Sequence, residues 1–203
     1  MVATGLYYAL LSILAGGLLG LLVTPLAATP FAIFGVFCLW FFRDPERAIP
    51  RGPVAVSPAD GKIVLVRRRP ERTEICIFMN VLDVHVNRAP IGGKIVDVQY
   101  SPGQFMVASR DEASFANERN TITVEDKDGV IVRFTQIAGL IARRIVCRAK
   151  AGDFVTTGQR IGLIQFGSRV DVELGPEWTI DVQEGQRVKA GSTVLARRAE
   201  ATL

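Results

Sequence analysis

The first 42 positions of the chain hold no Asp, Glu, Lys, Arg or His, and apolar residues run through them almost without interruption. Leu6 to Ala28, "LYYALLSILAGGLLGLLVTPLAA", is long enough to cross a hydrocarbon core, which takes about 20 apolar residues. Pro30 to Phe42 is a second, shorter apolar run, and Pro25 and Pro30 mark the break between the two. The pattern predicts a hydrophobic membrane anchor over 1–50, either a helical hairpin or one span followed by an interfacial helix. A cleaved signal peptide fits less well, because a basic leading region is missing and the apolar stretch is long and double. Arg43, Arg47 and Arg51 follow the second run at once, which favours its cytoplasmic side and puts Trp40 near the interface.

From Val54 onward the pattern changes to short β-branched runs punctuated by Gly, Pro and Asp-Gly, so 51–203 reads as a β-rich domain. Two internal echoes organise it. "DGKIVLV" at 60–66 returns as "GGKIVDV" at 92–98, and "AGDFVTTGQRIGLI" at 151–164 returns as "EGQRVKAGSTVLAR" at 184–197. The G-x-x-V-x-x-G unit turns a valine inward between two glycines that allow tight turns. It resembles the half-motif of lipoyl and biotinyl carrier domains, so the expected fold is mainly β, a compact lipoyl/biotinyl-like sandwich behind a helical anchor. Those carriers present a lysine on the hairpin between their halves. Here 165–183 contains no lysine, and Gly167-Ser168 takes the prominent place.

Around that pair, "IQFGSRVDVEL" reads as one strand up to Phe166 and a second, half-buried strand from Arg169 to Leu174, joined by what looks like a turn. The net charge of +4 and a pI near 9.2 fit work against an anionic surface, phospholipid more than nucleic acid. The clusters Arg67-Arg68-Arg69, Arg143-Arg144 and Arg197-Arg198 lack the interleaved aromatics of a nucleic-acid site. Cys38, Cys76 and Cys147 are too few and too scattered for a disulfide framework or a metal knuckle, so they read as reduced, buried residues and no metal is expected.

Three stretches carry a more specific resemblance. "VSPADGKIV" at 56–64, "FMNVLDVHVNRAP" at 78–90 and "FGSRVDVEL" at 166–174 resemble, in that order, the short membrane-associated form of the phosphatidylserine decarboxylase family. With the apolar N-terminus and "FFRDPER" at 41–47, the resemblance covers essentially the whole chain. It implies a proenzyme that cuts itself between Gly167 and Ser168 into 1–167 and 168–203, which stay together as a heterodimer. Ser168 Oγ attacks the Gly167 carbonyl, the amide becomes an ester, and β-elimination followed by hydrolysis turns Ser168 into a pyruvoyl group. That ketone forms a Schiff base with the substrate amine and acts as the electron sink for loss of carbon dioxide, giving phosphatidylethanolamine from phosphatidylserine. The implied setting is the inner membrane, with the catalytic domain facing the cytoplasm. Homo-oligomer formation stays open.

The same resemblance assigns roles to Asp60, His85 and Ser168 in self-cleavage, with Asp60 orienting or balancing the charge of the base, and to His85 in proton transfer. His85 is the only histidine, and an unperturbed imidazole titrates near about 6.5. Taken singly, each has a plain structural reading: a lone histidine on a strand, an aspartate in a turn, a Gly-Ser turn. The chain departs from longer bacterial members, which show H-x-x-H, by carrying Arg88 at the second position. Arg88 reads either as a forked donor for an anionic phosphate or carboxylate or as a surface arginine. Two alternatives compete with the main reading: the same reaction on a related serine lipid such as archaetidylserine, and a membrane-tethered lipoyl-like adaptor without catalysis.

Overall fold

The computed structural model describes residues 3–103, 117–139, 144–165 and 168–199. Its contacts divide the chain into two compact units, Met1–Glu46 and Arg47–Leu203. In the first, α1 (Ala3–Leu22) and α2 (Thr29–Phe41) are joined through a 3-10 turn, Pro25–Ala28. The two helices lie against each other: Ser12 Oγ donates to Phe31 O at 2.7 Å, and a Cβ on Gly16 would come within 2.7 Å of Phe31 Cβ. Pro30 does not mark a break. It sits in the first turn of α2, where a missing N–H removes no intrahelical bond. Thr4–Leu22 is long and apolar enough to cross a membrane, whereas Pro25–Phe41 is apolar but shorter. Leu14 and Leu21 project outward from α1 at 71% and 88% exposure, an outer surface suited to lipid rather than water.

The second unit is mainly β, as expected. Its strands are β1 (Val54–Val56), β2 (Gly61–Arg69), β3 (Arg72–Met79), β4 (Val86–Arg88), β5 (Gly93–Ser101), β6 (Arg119–Glu125) and β7 (Ile131–Ala138). They continue with β8 (Ile145–Cys147), β9 (Phe154–Val155), β10 (Arg160–Ile164), β11 (Ser168–Leu174), β12 (Thr179–Ile180), β13 (Arg187–Val188) and β14 (Val194–Arg197). An eight-stranded sheet runs β13-β2-β3-β11-β7-β6-β5-β9, and two three-stranded sheets run β4-β10-β8 and β1-β14-β12.

The sequence echoes are the two halves of this arrangement. β2 and β5 hold the repeated "GKIV", and β13 and β9 hold the repeated G-x-x-V that pairs with them. Corresponding backbone bonds recur: Gly185 N to Ile63 O and Gly152 N to Ile95 O, Gly191 N to Ser57 O and Gly158 N to Ala89 O, all at 2.8 Å. The halves also clasp one another, with Arg88 N on Pro58 O and Val56 N on Pro90 O, both at 2.9 Å. Even the irregularities match, since β2 shifts register between Ile63 and Leu65 and β5 between Ile95 and Asp97. Gly61 and Gly93 open these strands because a Cβ there would lie 2.2 Å from Phe78 O and 2.1 Å from Glu125 O. Between the halves, Ile63, Ile77, Ile95, Ile122, Phe134, Val170 and Leu195 form part of one continuous core. Burying each such side chain contributes about 1.5–3 kcal/mol.

One expectation needs correction. β11 is not half-buried: it lies between β3 and β7 in the middle of the large sheet, and Ser168, Arg169, Val170, Asp171, Val172 and Leu174 are all buried. Its polar alternation signals two covered faces, one apolar and one on which Arg169 and Asp171 pair with each other. Nor is every cysteine buried, since Cys147 is partly exposed.

Candidate active site

Strand ends gather the chemistry. Met79 closes β3, Ala138 closes β7, and Ser168 opens β11 between them, in register with both. Asp60 immediately precedes β2, the neighbour of β3, so all four residues lie at one end of the large sheet. Ser168 is fully buried, and its Oγ donates to Met79 Sδ at 3.3 Å. Phe166 and Gly167, and with them the expected scissile bond, lie outside the described residues.

His85 precedes β4 rather than lying on a strand, and it is 2% exposed. Its Nδ1 stands 2.9 Å from Asp83 O. A carbonyl only accepts, so Nδ1 carries the proton and Nε2 of the neutral ring keeps a lone pair. Asp83 is itself held in a turn: Asn80 N donates to its Oδ2 at 2.9 Å, and Arg187 Nη1 reaches its Oδ1 at 3.1 Å.

Asp60 faces elsewhere. Its Oδ2 accepts from Arg47 Nη2 and its Oδ1 from Ala190 N, each at 2.8 Å. Burial pushes its carboxyl above the usual range, the Ala190 amide and Arg47 pull it back, and the charge of Asp83 raises it again, leaving it raised. The group seen against the imidazole Nδ1 is the Asp83 carbonyl. The other half of the fold shows what sets Asp60 apart. Its counterpart is Gly92, where an added Cβ would sit 3.2 Å from Thr157 N, the equivalent of the Ala190 amide. The carboxylate is therefore an addition to the shared scaffold.

Arg88 is not a surface residue: it is 5% exposed and its Nη1 donates to Gly158 O at 3.0 Å. It ties β4 to the loop before β10.

Sequence reasoning missed a chain of buried amides beside Ser168. Asn120 Nδ2 donates to Gln136 Oε1 at 3.1 Å, Gln136 Nε2 donates to Asn87 Oδ1 at 2.9 Å, and Asn87 Nδ2 points at Met79 Sδ, 3.8 Å away. Asn117 Nδ2 donates to the carbonyl of Ala138, the register partner of Ser168, at 2.7 Å. Asn87, Asn117 and Gln136 are wholly buried. The only signal in the sequence is an amide standing at an inward position of an otherwise apolar strand, as in "FTQIA".

On the opposite face of β11, Glu74, Cys76 and Asp171 bring three potential metal ligands within 4.8 Å of one another. Arg169 already supplies a cation there: Nε binds Asp171 Oδ1 at 2.5 Å and Nη2 approaches Cys76 Sγ at 2.7 Å. Burial pushes the Cys76 thiol strongly up and Asp171 adds to it, so the sulfur stays protonated.

A buried serine at the head of a central strand, behind a glycine in the sequence and in a unit that also holds a buried histidine, is an arrangement suited to self-processing. Residues 34–196 match the phosphatidylserine decarboxylase family. The chain belongs to the phosphatidylserine decarboxylase family. Within that family it is 58% identical to the phosphatidylserine decarboxylase proenzyme of Solibacter usitatus over 198 residues, covering 98% of this chain and 97% of that one. It is 51% identical to the proenzyme of Ralstonia pickettii over 176 residues, 83% and 82% of the two chains. With that of Oleidesulfovibrio alaskensis it shares 49% over 180 residues, 85% and 83%. The family match takes in Asp60, His85, Arg88, Gly167 and Ser168.

Proposed function

We propose that this chain is a membrane-associated proenzyme that cuts itself between Gly167 and Ser168 and then decarboxylates phosphatidylserine to phosphatidylethanolamine and carbon dioxide. Ser168 carries the reading: a fully buried hydroxyl at the start of a central strand, next to the glycine carbonyl it attacks, in a chain of this family. Its hydrogen bond runs to a thioether, a weak acceptor that leaves the oxygen lone pairs for attack. Gly167 leaves the approach to its carbonyl open and tolerates the distorted backbone that the attack needs.

The seat of Ser168 also fits the pyruvoyl group that this reading requires. Conversion removes Oγ and leaves a methyl, and Met79 packs against a methyl as readily as it accepts a hydroxyl. Formed there, the ketone supplies an electron sink for the bond to the departing carboxylate. His85, with its proton fixed on Nδ1, offers Nε2 as the base and later proton donor. To Asp60, held by Arg47, we assign the balancing of charge on that base, and to Arg88 the substrate phosphate or carboxylate.

The anchor over 1–50 holds the domain over 51–203 at the inner membrane on the cytoplasmic side, where a two-chained lipid presents its headgroup without leaving the bilayer. The pieces 1–167 and 168–203 remain one heterodimer, because β11 of the second is paired on both sides with β3 and β7 of the first. Ser168→Ala tests the reading: the chain is expected to stay whole and to release no carbon dioxide from phosphatidylserine. Cutting or turnover in that variant would overturn it.

A further inference from the structure

Asn87 Nδ2 is a wholly buried donor whose acceptor is a thioether sulfur 3.8 Å away. A buried amide N–H directed at so weak an acceptor is under-used, and the site around it explains why it is kept. The same sulfur takes the proton of Ser168 Oγ at 3.3 Å, so the amide and the hydroxyl converge on one point. The amide cannot turn round. Its oxygen is held by Gln136 Nε2, and Gln136 is held by Asn120, so the nitrogen must face Met79, whose sulfur Ser168 Oγ also meets.

Self-cleavage makes an oxygen at that point charged. Acyl transfer from the Ser168 nitrogen to Oγ gives an ester and a free Ser168 amine. In the elimination a base takes the Cα proton, the Cα–Cβ bond becomes double, and the Cβ–Oγ bond breaks. Oγ leaves as one oxygen of the new Gly167 carboxylate, and the remaining dehydroalanine takes up water and loses ammonia to become the ketone. Negative charge therefore grows on Oγ inside a site sealed from solvent. We propose that Asn87 Nδ2 leaves the Met79 sulfur and donates to this departing oxygen, so that Asn87 serves the elimination step of maturation, with Gln136 as the residue that positions it. A charge-assisted hydrogen bond to a carboxylate replaces one to a thioether, and the gain appears only as the bond breaks.

The inference rests on the self-cleavage proposed above, and its test separates the two. The full-length chain is expressed as wild type, Asn87→Leu, Asn87→Asp, Gln136→Leu and Ser168→Ala, and the uncut species is followed with and without hydroxylamine, which cleaves an ester but spares an amide. Loss of a preformed donor slows such steps by about 10²–10³. Asn87→Leu is expected to accumulate full-size chain that hydroxylamine splits, releasing a small piece that begins with a free, sequenceable Ser168. Gln136→Leu is expected to do the same to a smaller degree. Maturation of Asn87→Leu at the wild-type rate, or uncut chain that hydroxylamine leaves whole, would overturn the role of Asn87. Should Asn87→Leu not fold, Asn87→Asp keeps the shape, turns the donor into a repelling carboxylate, and is read by the same two outcomes. Cutting of Ser168→Ala would instead overturn the self-cleavage itself.

Discussion

Asp60 shows how a single residue couples charge to fold. Its carboxyl is raised, by burial first, so the folded protein holds this proton to a higher pH than the unfolded chain does. The folded state then binds more protons in that window, and stability falls as pH rises through it and levels off above the folded value. Asp60→Asn removes this slope. Urea midpoints of the two proteins between pH 3 and 7 are expected to converge or cross as pH rises, with the wild type favoured most at the acid end; parallel curves would contradict the raised carboxyl. At this scale the sequence was partly legible. Ser168, His85 and Asp60 stand out through their motifs, whereas Asn87, Gln136 and Asn120 do not, because an amide in a strand looks the same whether its face is wet or buried. Only the register that sets Gln136 opposite Val170 and Asn120 puts them in the core. The neighbours of Asp60 were likewise hidden, since Arg47 and Ala190 reach it from 13 and 130 positions away.

At the scale of elements, β11 reverses the half-buried reading of "RVDVEL". Period-two alternation reports two different faces but not whether the second is wet. Here Arg169 and Asp171 neutralise each other on that face, so charged residues persist in a covered strand. The repeats, by contrast, were legible because the same backbone constraint acts twice. Gly93 illustrates it: a Cβ there would meet Glu125 O at 2.1 Å, so Gly93→Ala must part β5 from β6. The expected loss is about 1–3 kcal/mol, read as a lower urea midpoint with an unchanged slope. An unchanged midpoint would show that the strand ends give way without cost.

Over the whole molecule, the apolar hairpin and the β unit divide the work. Arg47, Asp60, His85 and Ser168 all belong to Arg47–Leu203, so removal of residues 1–42 is expected to leave self-cleavage intact. Turnover of phosphatidylserine in vesicles should fall far more than turnover in detergent micelles, and equal losses in both would contradict the anchoring role. The apolar N-terminal helix was plain in the sequence because absence of charge over 42 positions is a composition signal that needs no contacts. The central claim is most directly tested by intact mass of the purified wild-type protein. The account predicts two pieces, 1–167 and 168–203, the smaller lacking the mass of ammonia relative to a serine-led peptide and blocked to Edman degradation. A single uncut chain, or a small piece with a free serine amine, would contradict it.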